Sequence, residues 1–332
     1  MSMETWLPLV FTALMALAML LYVLLDGYDL GVGILVRGQA DADQDRMIAS
    51  IGPFWDANET WLVLGIGLLL VAFPLAHGLI LGALYLPVAA MLVGLILRGV
   101  AFDFRVKARA EHKQAWNLAF WAGSLLAAFA QGWMLGSYVI GFRDDGIGLA
   151  FAALIGLCLC AGYALLGAGW LVLKTEGELR RRALRWAYAN LWLTGLGIAA
   201  VSVATPWVSP RIFEKWFALP QLLFLLPVPV LTALVFAATE GGIRRLRKGE
   251  TSRDWIPFAG AVSLFVLAFA GLAYSLFPYL VSDRMTLWQA AAAPESLLIM
   301  LVGAAITLPM ILAYTVYVYR VFWGRSGGLS YE

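Results

Sequence analysis

Charged residues are scarce in this chain of 332 residues. They make up only 13% of the chain, against 62% hydrophobic residues, and the formal net charge is +2. Soluble domains contain about 25% charged residues, so this composition excludes a soluble globular protein and favours a polytopic membrane protein. Nucleic-acid-binding proteins carry a basic patch or stripe, so a net charge this small gives no support to nucleic-acid binding.

Histidine and cysteine are also scarce, with two of each. His77 falls in a predicted turn and His112 in a predicted loop, so neither lies at a depth from which it could ligate a membrane haem. Cys158 and Cys160 are two apart in an apolar run and would point to different faces of a helix, so we expect them to pack. The sequence therefore predicts no redox centre, no cofactor-binding residue, no metal site and no catalytic nucleophile in this chain.

Long apolar stretches dominate what remains. A helix needs about 20 apolar residues to cross a bilayer, and nine such stretches predict an all-α fold of nine transmembrane helices. The first is expected to be a true span, because it lacks the basic n-region and cleavage site of a removable signal peptide. The predicted spans cover approximately residues 6–28, 55–74, 79–98, 116–140, 148–172, 187–207, 219–239, 256–279 and 296–319.

The basic residues are distributed unevenly between the two sides of the predicted helices. With nine spans, nineteen of the 23 Lys and Arg residues fall in the loops after odd-numbered helices and in the tail that contains Arg325. The positive-inside rule then places the N-terminus outside and the C-terminus in the cytoplasm. Tyr319 and Trp323 lie near the end of the last span and are expected to be interfacial anchors.

Three glycine pairs have the GxxxG spacing that permits close contact between membrane helices. The chain has 33 glycines, so such pairs also arise by chance and are weak support for helix contact. The pairs are Gly27/Gly31, Gly78/Gly82 and Gly132/Gly136.

Two aspartates interrupt the first apolar stretch near its predicted cytoplasmic end. Asp26 and Asp29 are three apart, so they share one helical face. A carboxylate within a span costs roughly 2.5–3.5 kcal/mol on insertion scales, and a membrane chain rarely carries two without a use for them. Their side chains could share a partner, a chain of waters or a proton.

The next two helices add further charged residues at the same depth. Asp56 and Glu59 occupy the first turns of the second helix, and Arg98 and Asp103 lie where the third helix is predicted to end. Three consecutive helices would thus bring four carboxylates and an arginine to one cytoplasmic corner, with Asp103 beside them.

Two interpretations of this corner remain open. Arg98, the Asn58 amide and the Thr60 hydroxyl are the expected partners of Asp26 and Asp29. A carboxylate cluster with one cation suits a proton-conducting path, because coupled groups can load and release protons. The same residues could instead form a purely structural ion-pair network.

Three segments resemble the signatures of subunit II of cytochrome bd-type quinol oxidases in order and spacing. They are residues 26–33 (DGYDLGVG), 55–61 (WDANETW) and 98–105 (RGVAFDFR). The short loops and residues 131–137 (QGWMLGS) are similar to those of the shorter subunits of the cyanide-insensitive branch.

The resemblance implies a fold of two four-helix bundles and one peripheral helix. Residues 1–145 would form the first bundle with helices 1–4, residues 146–180 the peripheral helix 5, and residues 181–332 the second bundle with helices 6–9. It implies a heterodimer with a haem-bearing subunit I in the bacterial cytoplasmic (inner) membrane. This complex would oxidise quinol and reduce dioxygen to water, with haem b and haem d, or b-type haem only, held by the partner subunit.

The resemblance also implies that this chain supplies a hydrophilic proton path from the cytoplasm. Asp56 is the acid most often placed on it in the family; Glu59 is the least secure, since amides also occur at its place. A bound quinone and a single-helix accessory subunit stay open. The residues carried over to the path are Asp26, Asp29, Asp56, Glu59, Arg98 and Asp103.

Two other functions compete with the proton path. One is a purely structural scaffold for subunit I. The other is an ion-coupled secondary transporter, which would usually place its acids near the membrane midplane and in two related halves. The acids here lie at one end, and helices 6–9 contain no second acidic pair, which argues against transport.

Overall fold

The structure, a computed structural model, describes residues 2–249, 253–322 and 324, so Trp323 and Arg325 lie outside the described residues. Its described residues form helices and one short antiparallel hairpin. The helices are α1 (Met3–Leu35), α2 (Asp41–Ala49), α3 (Trp55–Ala72), α4 (Pro74–Ala83), α5 (Tyr85–Lys107), α6 (Ala110–Val139), α7 (Gly146–Lys174), α8 (Gly177–Val208), α9 (Pro210–Phe217), α10 (Gln221–Leu225), α11 (Pro227–Arg247), α12 (Ile256–Leu276), α13 (Leu287–Ala290) and α14 (Pro294–Val321). The strands are β1 (Tyr279–Val281) and β2 (Met285–Thr286).

Nine helical segments in the described part of the chain are long and apolar enough to cross a membrane, as the sequence predicted. Eight are single helices, and the seventh span joins α10 and α11 as Gln221–Arg247. The nine spans in order are α1, α3, α5, α6, α7, α8, α10–α11, α12 and α14.

Contacts between helix termini gather most of the basic residues at one end of the molecule. Lys174 at the end of α7 donates to the carbonyl of Phe322 beyond α14 at 2.9 Å. Arg180 near the start of α8 pairs with Asp254 before α12 at 2.5 Å. We call this the basic end; α1, α5, α7 and α14 end there, and α3, α6, α8 and α12 begin there.

The third span begins and ends later than the sequence predicted. Pro74 takes the first position of the short helix α4, where its missing N–H costs no hydrogen bond. Leu84 then leaves the helical region at φ −105° and ψ 13°, so α5 begins only at Tyr85 and runs on to Lys107. Asp103, expected after the end of this span, therefore lies inside α5.

The fifth span, α7, does not lie at the periphery of the described residues. Half of its most apolar stretch is buried, more than in any other span, and it packs against α1, α6, α8 and α12. Glycines permit this contact: a Cβ on Gly31 of α1 would lie 1.8 Å from the Tyr163 carbonyl oxygen. The least buried spans are α10–α11 and α14, at 6% each.

Two of the three glycine pairs form close helix contacts. The pair Gly27/Gly31 faces Tyr163 on α7, and Gly132/Gly136 faces the α7 backbone around Ala152 and Gly156. Gly78 and Gly82, in contrast, have open space where a side chain would stand. The glycine spacing was therefore informative on α1 and α6 and uninformative on α4.

Helix α2, which the span analysis did not predict, is tied to three spans at the basic end. Asp45 pairs with Lys113 of α6 at 2.9 Å and with Arg105 of α5, and Asp43 pairs with Arg182 of α8. Partial burial raises the pKa of Asp45, but the hydrogen bonds from Lys113 and Arg105 outweigh it and hold the pKa below its usual range. These ion pairs fix the segment that connects the first two spans against the basic end.

Candidate functional site

A buried arginine joins the first three spans near the basic end. Arg98 of α5 donates from Nη1 to Asp26 Oδ1 at 2.6 Å and from Nη2 to Glu59 Oε1 at 3.0 Å. The side chains of Arg98 and Asp26 are each 1% exposed, whereas that of Glu59 on α3 is 27% exposed. Arg98 also lies 5.6 Å from the ring centroid of Trp55. One guanidinium therefore serves two carboxylates of different accessibility.

Asp29, one turn along α1 from Asp26, is held by an amide of α3 instead of by Arg98. Its Oδ2 accepts from Asn58 Nδ2 at 2.8 Å, and the carboxyl is fully buried. Asp29 Oδ1 and Asp26 Oδ2 have no hydrogen-bond partner among the described residues, nor has Arg98 Nε. Buried polar atoms are usually satisfied, so these carboxylate oxygens and this N–H group are the positions of the cluster where a water molecule could bind.

The expected partners of the first-helix acids were largely correct. Arg98 binds Asp26, and Asn58 binds Asp29. Thr60 does not take part, because its hydroxyl is exposed and donates to the carbonyl of Ala57 at 2.6 Å. A threonine hydroxyl near the start of a helix can donate to a backbone carbonyl of the same helix. Thr60 makes this local bond instead of a bond to Asp26 or Asp29.

The structure does not bring Asp56 and Asp103 into the buried cluster. Asp56 is exposed in the first turn of α3, and Asp103 is exposed near the end of α5. Arg98, expected beside Asp103, is instead occupied by Asp26 and Glu59. Of the six residues predicted for the path, Asp26, Glu59 and Arg98 are linked by hydrogen bonds, Asp29 is buried beside them with Asn58, and the other two lie on the surface.

Each exposed acid continues an exposed stripe of its helix. On α3 the positions Asp56, Thr60, Val63, Gly67 and Leu70 recur with alternating steps of four and three, which places them on one face. Val63 is 73% exposed and Leu70 is 49% exposed.

The matching stripe on α5 ends in Asp103. It holds Leu86, Val93, Ile96 and Val100, which are 63%, 57%, 65% and 40% exposed. Two helices that meet through Arg98 and Glu59 thus each present apolar surface with a carboxylate at the basic end.

Sequence reasoning missed a second buried polar chain that begins four residues before Asp26. Gln131 of α6 donates to the hydroxyl of Tyr22 at 2.7 Å and accepts from the hydroxyl of Tyr163 of α7 at 2.6 Å. Of these three residues, only Gln131 lies in a segment that carries the family resemblance. A tyrosine in an apolar run gives little signal, because its ring packs like any other aromatic side chain.

Sequence reasoning also missed the role of two tyrosines beside Asp29. The hydroxyls of Tyr28 and Tyr319 lie 2.6 Å apart, and both contact Asn58. Tyr319 had been expected to anchor the last span at the interface. Its hydroxyl instead points towards the buried acids. The only sequence signal for Tyr28 is its position between Asp26 and Asp29.

The site combines acids, one arginine and neutral hydrogen-bonding side chains. Within the residues that the structure describes, no group of three His, Cys, Asp or Glu residues could hold a metal ion. Clustered carboxylates beside a fixed cation exchange protons in coupled steps. This donor and acceptor set is compatible with proton exchange and equally with a purely structural ion-pair network.

The fold and site define a polytopic α-helical membrane protein with a charged cluster buried between its first three spans. The family model of cytochrome bd terminal oxidase subunit II matches residues 7–322. The chain belongs to this family, as the three sequence signatures indicated.

Known relatives agree with this assignment. The chain is 26% identical over 326 residues to cytochrome bd ubiquinol oxidase subunit 2 of Bacillus subtilis, with 92% of each chain covered. It is 25% identical over 360 residues to cytochrome bd-I ubiquinol oxidase subunit 2 of Escherichia coli K12, with 92% of this chain and 91% of the relative covered.

A solved structure supports the fold. The bd oxidase from Geobacillus thermodenitrificans contains a chain that matches with a TM-score of 0.80 at 17% identity, covering 96% of this chain and 99% of that one. At this identity the likeness shows the shared fold alone.

Proposed function

We propose that this chain is the non-haem subunit II of a quinol oxidase complex and that it carries protons from the cytoplasm towards the partner that reduces dioxygen. The names of the two relatives, both ubiquinol oxidase subunits, support quinol as the electron donor. The single observation that carries the proton path is the buried cluster of Asp26, Glu59 and Arg98, with Asp29 beside it.

The graded exposure of the acids gives the path a direction. Asp56 is exposed, Glu59 is 27% exposed, and Asp26 is 1% exposed. A proton taken up at the surface would pass from Asp56 to Glu59, three residues along α3, and then to the buried acids. Arg98 stabilises one negative charge in the cluster permanently, so that a second carboxylate can bind and release a proton.

The distribution of basic residues supports the orientation of the chain. Arg105, Lys113, Lys174, Arg180 and Arg182 lie at the basic end, which the positive-inside rule assigns to the cytoplasm. The N-terminus is then outside, and the acid cluster opens to the cytoplasm of a bacterium, across its inner membrane.

The haems of the complex belong to the partner in this proposal. His112 is 64% exposed beside Glu111, and His77 lies in the short helix α4 at the other end of the molecule, so the histidines do not fit haem ligation. When bound in subunit I, haem would pass the electrons of quinol to dioxygen. This chain would hold and move protons.

The exposed stripes of α3 and α5 are the surface that we assign to subunit I. Asp56 and Asp103 lie near the ends of α3 and α5, and lipid on these stripes would bring hydrocarbon close to both carboxylates, which is costly. A partner with polar groups at the same depth would remove this cost and would lie next to the point where the path begins.

A purely structural role remains the competing function. An ion-pair network would stabilise the first three spans without moving protons. A scaffold needs the charges of Arg98 and Asp26, whereas Asp56, exposed in the first turn of α3, would serve it only through the helix dipole.

Replacing Asp56 with Asn separates these functions. We expect the variant complex to assemble with all haems and to consume oxygen at least about tenfold more slowly, because positioned proton-transfer groups contribute roughly 10²–10⁴-fold. Reduced-minus-oxidised haem spectra measure assembly, and oxygen uptake with quinol measures turnover. Asp144→Asn, an exposed acid at the opposite end, is the matched control and should keep its turnover. Wild-type turnover of Asp56→Asn would favour the scaffold.

A further inference from the structure

Three side chains from three helices close a ring of hydrogen bonds beside Asp29. Asn58 Nδ2 donates to the Tyr28 hydroxyl at 2.9 Å, and Tyr319 donates to Asn58 Oδ1 at 3.2 Å. The two hydroxyls are 2.6 Å apart. Because each hydroxyl has one proton and that of Tyr319 goes to Asn58, Tyr28 must donate to Tyr319.

The ring determines which way the Asn58 amide faces. Its carbonyl oxygen is held by Tyr319, so both of its N–H groups face α1. There the amide nitrogen reaches Asp29 Oδ2 at 2.8 Å and Tyr28 at 2.9 Å, with a longer contact of 3.3 Å to the carbonyl of Leu25. If the amide turned over, its oxygen would face the Asp29 carboxylate and repel it.

Tyr319 comes from a helix that is otherwise weakly packed. Only 6% of the most apolar stretch of α14 is buried. At the basic end, however, the Tyr319 ring stacks on Phe54 at 4.6 Å, and Lys174 binds the Phe322 carbonyl at 2.9 Å. The end of α14 is therefore held in place at the point where the Tyr319 hydroxyl joins the ring of hydrogen bonds.

We infer that Tyr319 is a positioning residue, which through Asn58 keeps an N–H donor directed at Asp29. This inference rests on the proposed proton path for its functional consequence, but the geometry that it describes can be measured separately. Neutral hydrogen bonds in a ring strengthen one another in a low-dielectric interior, so the loss of one member weakens the hold on the amide.

Tyr319→Phe tests the inference in the assembled oxidase. Phenylalanine keeps the contact with Phe54 and removes only the hydroxyl. Tyr317→Phe, on the same helix and 65% exposed, is the matched control. Infrared difference spectra locate the carboxyl band of Asp29, identified as the band that Asp29→Asn removes.

We expect Tyr319→Phe to move the Asp29 band and to lower oxygen turnover roughly two- to tenfold, the range that one intramolecular hydrogen bond represents. Tyr317→Phe should do neither. Tyr28→Phe should resemble Tyr319→Phe, and the double variant should lose no more than either single one, because both break the same ring. Additive losses would mean independent packing effects and would overturn the inference.

The two proposals fail in different ways. An unchanged Asp29 band in Tyr319→Phe overturns the positioning role, whatever the turnover. A moved band together with wild-type turnover in Asp29→Asn supports the positioning role and overturns the part of the proton path assigned to Asp29.

Discussion

Arg98 is the residue on which the charge balance of the buried cluster depends. It is 1% exposed and is the cation that both Asp26 and Glu59 contact. Removing one partner of a buried ion pair costs much more than the pair contributes, because the remaining charge stays desolvated. The arginine is therefore needed for the fold as well as for the proposed path.

Arg98→Met should lower the free energy of unfolding by about 3–5 kcal/mol, since it leaves two carboxylates without their cation. Equilibrium unfolding of the purified complex in mixed micelles would measure this loss. Adding Asp26→Asn and Glu59→Gln to Arg98→Met removes the stranded charges and should restore most of the stability. A single Arg98→Met variant as stable as the wild type would contradict the buried-charge account.

The pairing of Arg98 with Asp26 could be predicted from residue types, but the orientation of each acid on α3 could not. Residues three apart on a helix differ by about 60° in direction. Asp56 and Glu59 straddle the edge of the buried face, so one points outward and the other inward. The positions of α1 and α5 around α3 determine that Glu59 points inward and Asp56 outward.

At the scale of helices, the contact between α1 and α7 brings the acidic segment of α1 into the centre of the fold. Gly31 and Gly167 face each other: a Cβ on Gly167 would lie 2.4 Å from the Gly31 carbonyl carbon. Tyr163 on α7 also fills the space beside Gly27. Small residues let membrane helices approach closely, and here they bury Asp26 and Asp29.

Gly31→Ala should separate these helices and destabilise the protein by about 1–3 kcal/mol, the usual cost of overpacking. Its new methyl group would lie 1.8 Å from the backbone oxygen of Tyr163, which cannot move without α7. The thermal unfolding midpoint of the complex measures the effect. Gly78→Ala, on α4 with open space around it, is the control and should be neutral or slightly stabilising. Equal midpoints for the two variants would contradict the close contact.

At the scale of the whole molecule, hydropathy predicted the number of spans but not their neighbours. Nine apolar stretches follow directly from the cost of exposing polar groups to lipid. A helix that faces lipid and a helix that faces other helices are equally apolar, so composition could not show that α7 is central and α14 is weakly packed. The glycines of α1, α6 and α7 indicate which helices are neighbours, but glycine pairs at this spacing also occur by chance.

The same limitation applies to the surface of the molecule. Most spans expose apolar side chains, and apolarity alone does not distinguish lipid from a partner subunit. The stripes on α3 and α5 each end in an exposed carboxylate at the basic end, Asp56 or Asp103, whereas the exposed stripe of α14 starts from Glu295 at the opposite end. This mixture of apolar surface and charge favours a protein partner over lipid.

Gly67→Trp should therefore block association with subunit I. Gly67 lies in the α3 stripe between Val63 and Leu70 with open space beside it, so an indole there would not disturb the chain itself but would hold a partner helix away. Copurification of the haem-bearing partner with tagged subunit II measures association. Gly241→Trp, at an equally open position on the distant α11, should leave copurification unchanged. Retention of the partner by Gly67→Trp would mean that the α3 stripe faces lipid, and Asp56 would then not lie beside subunit I.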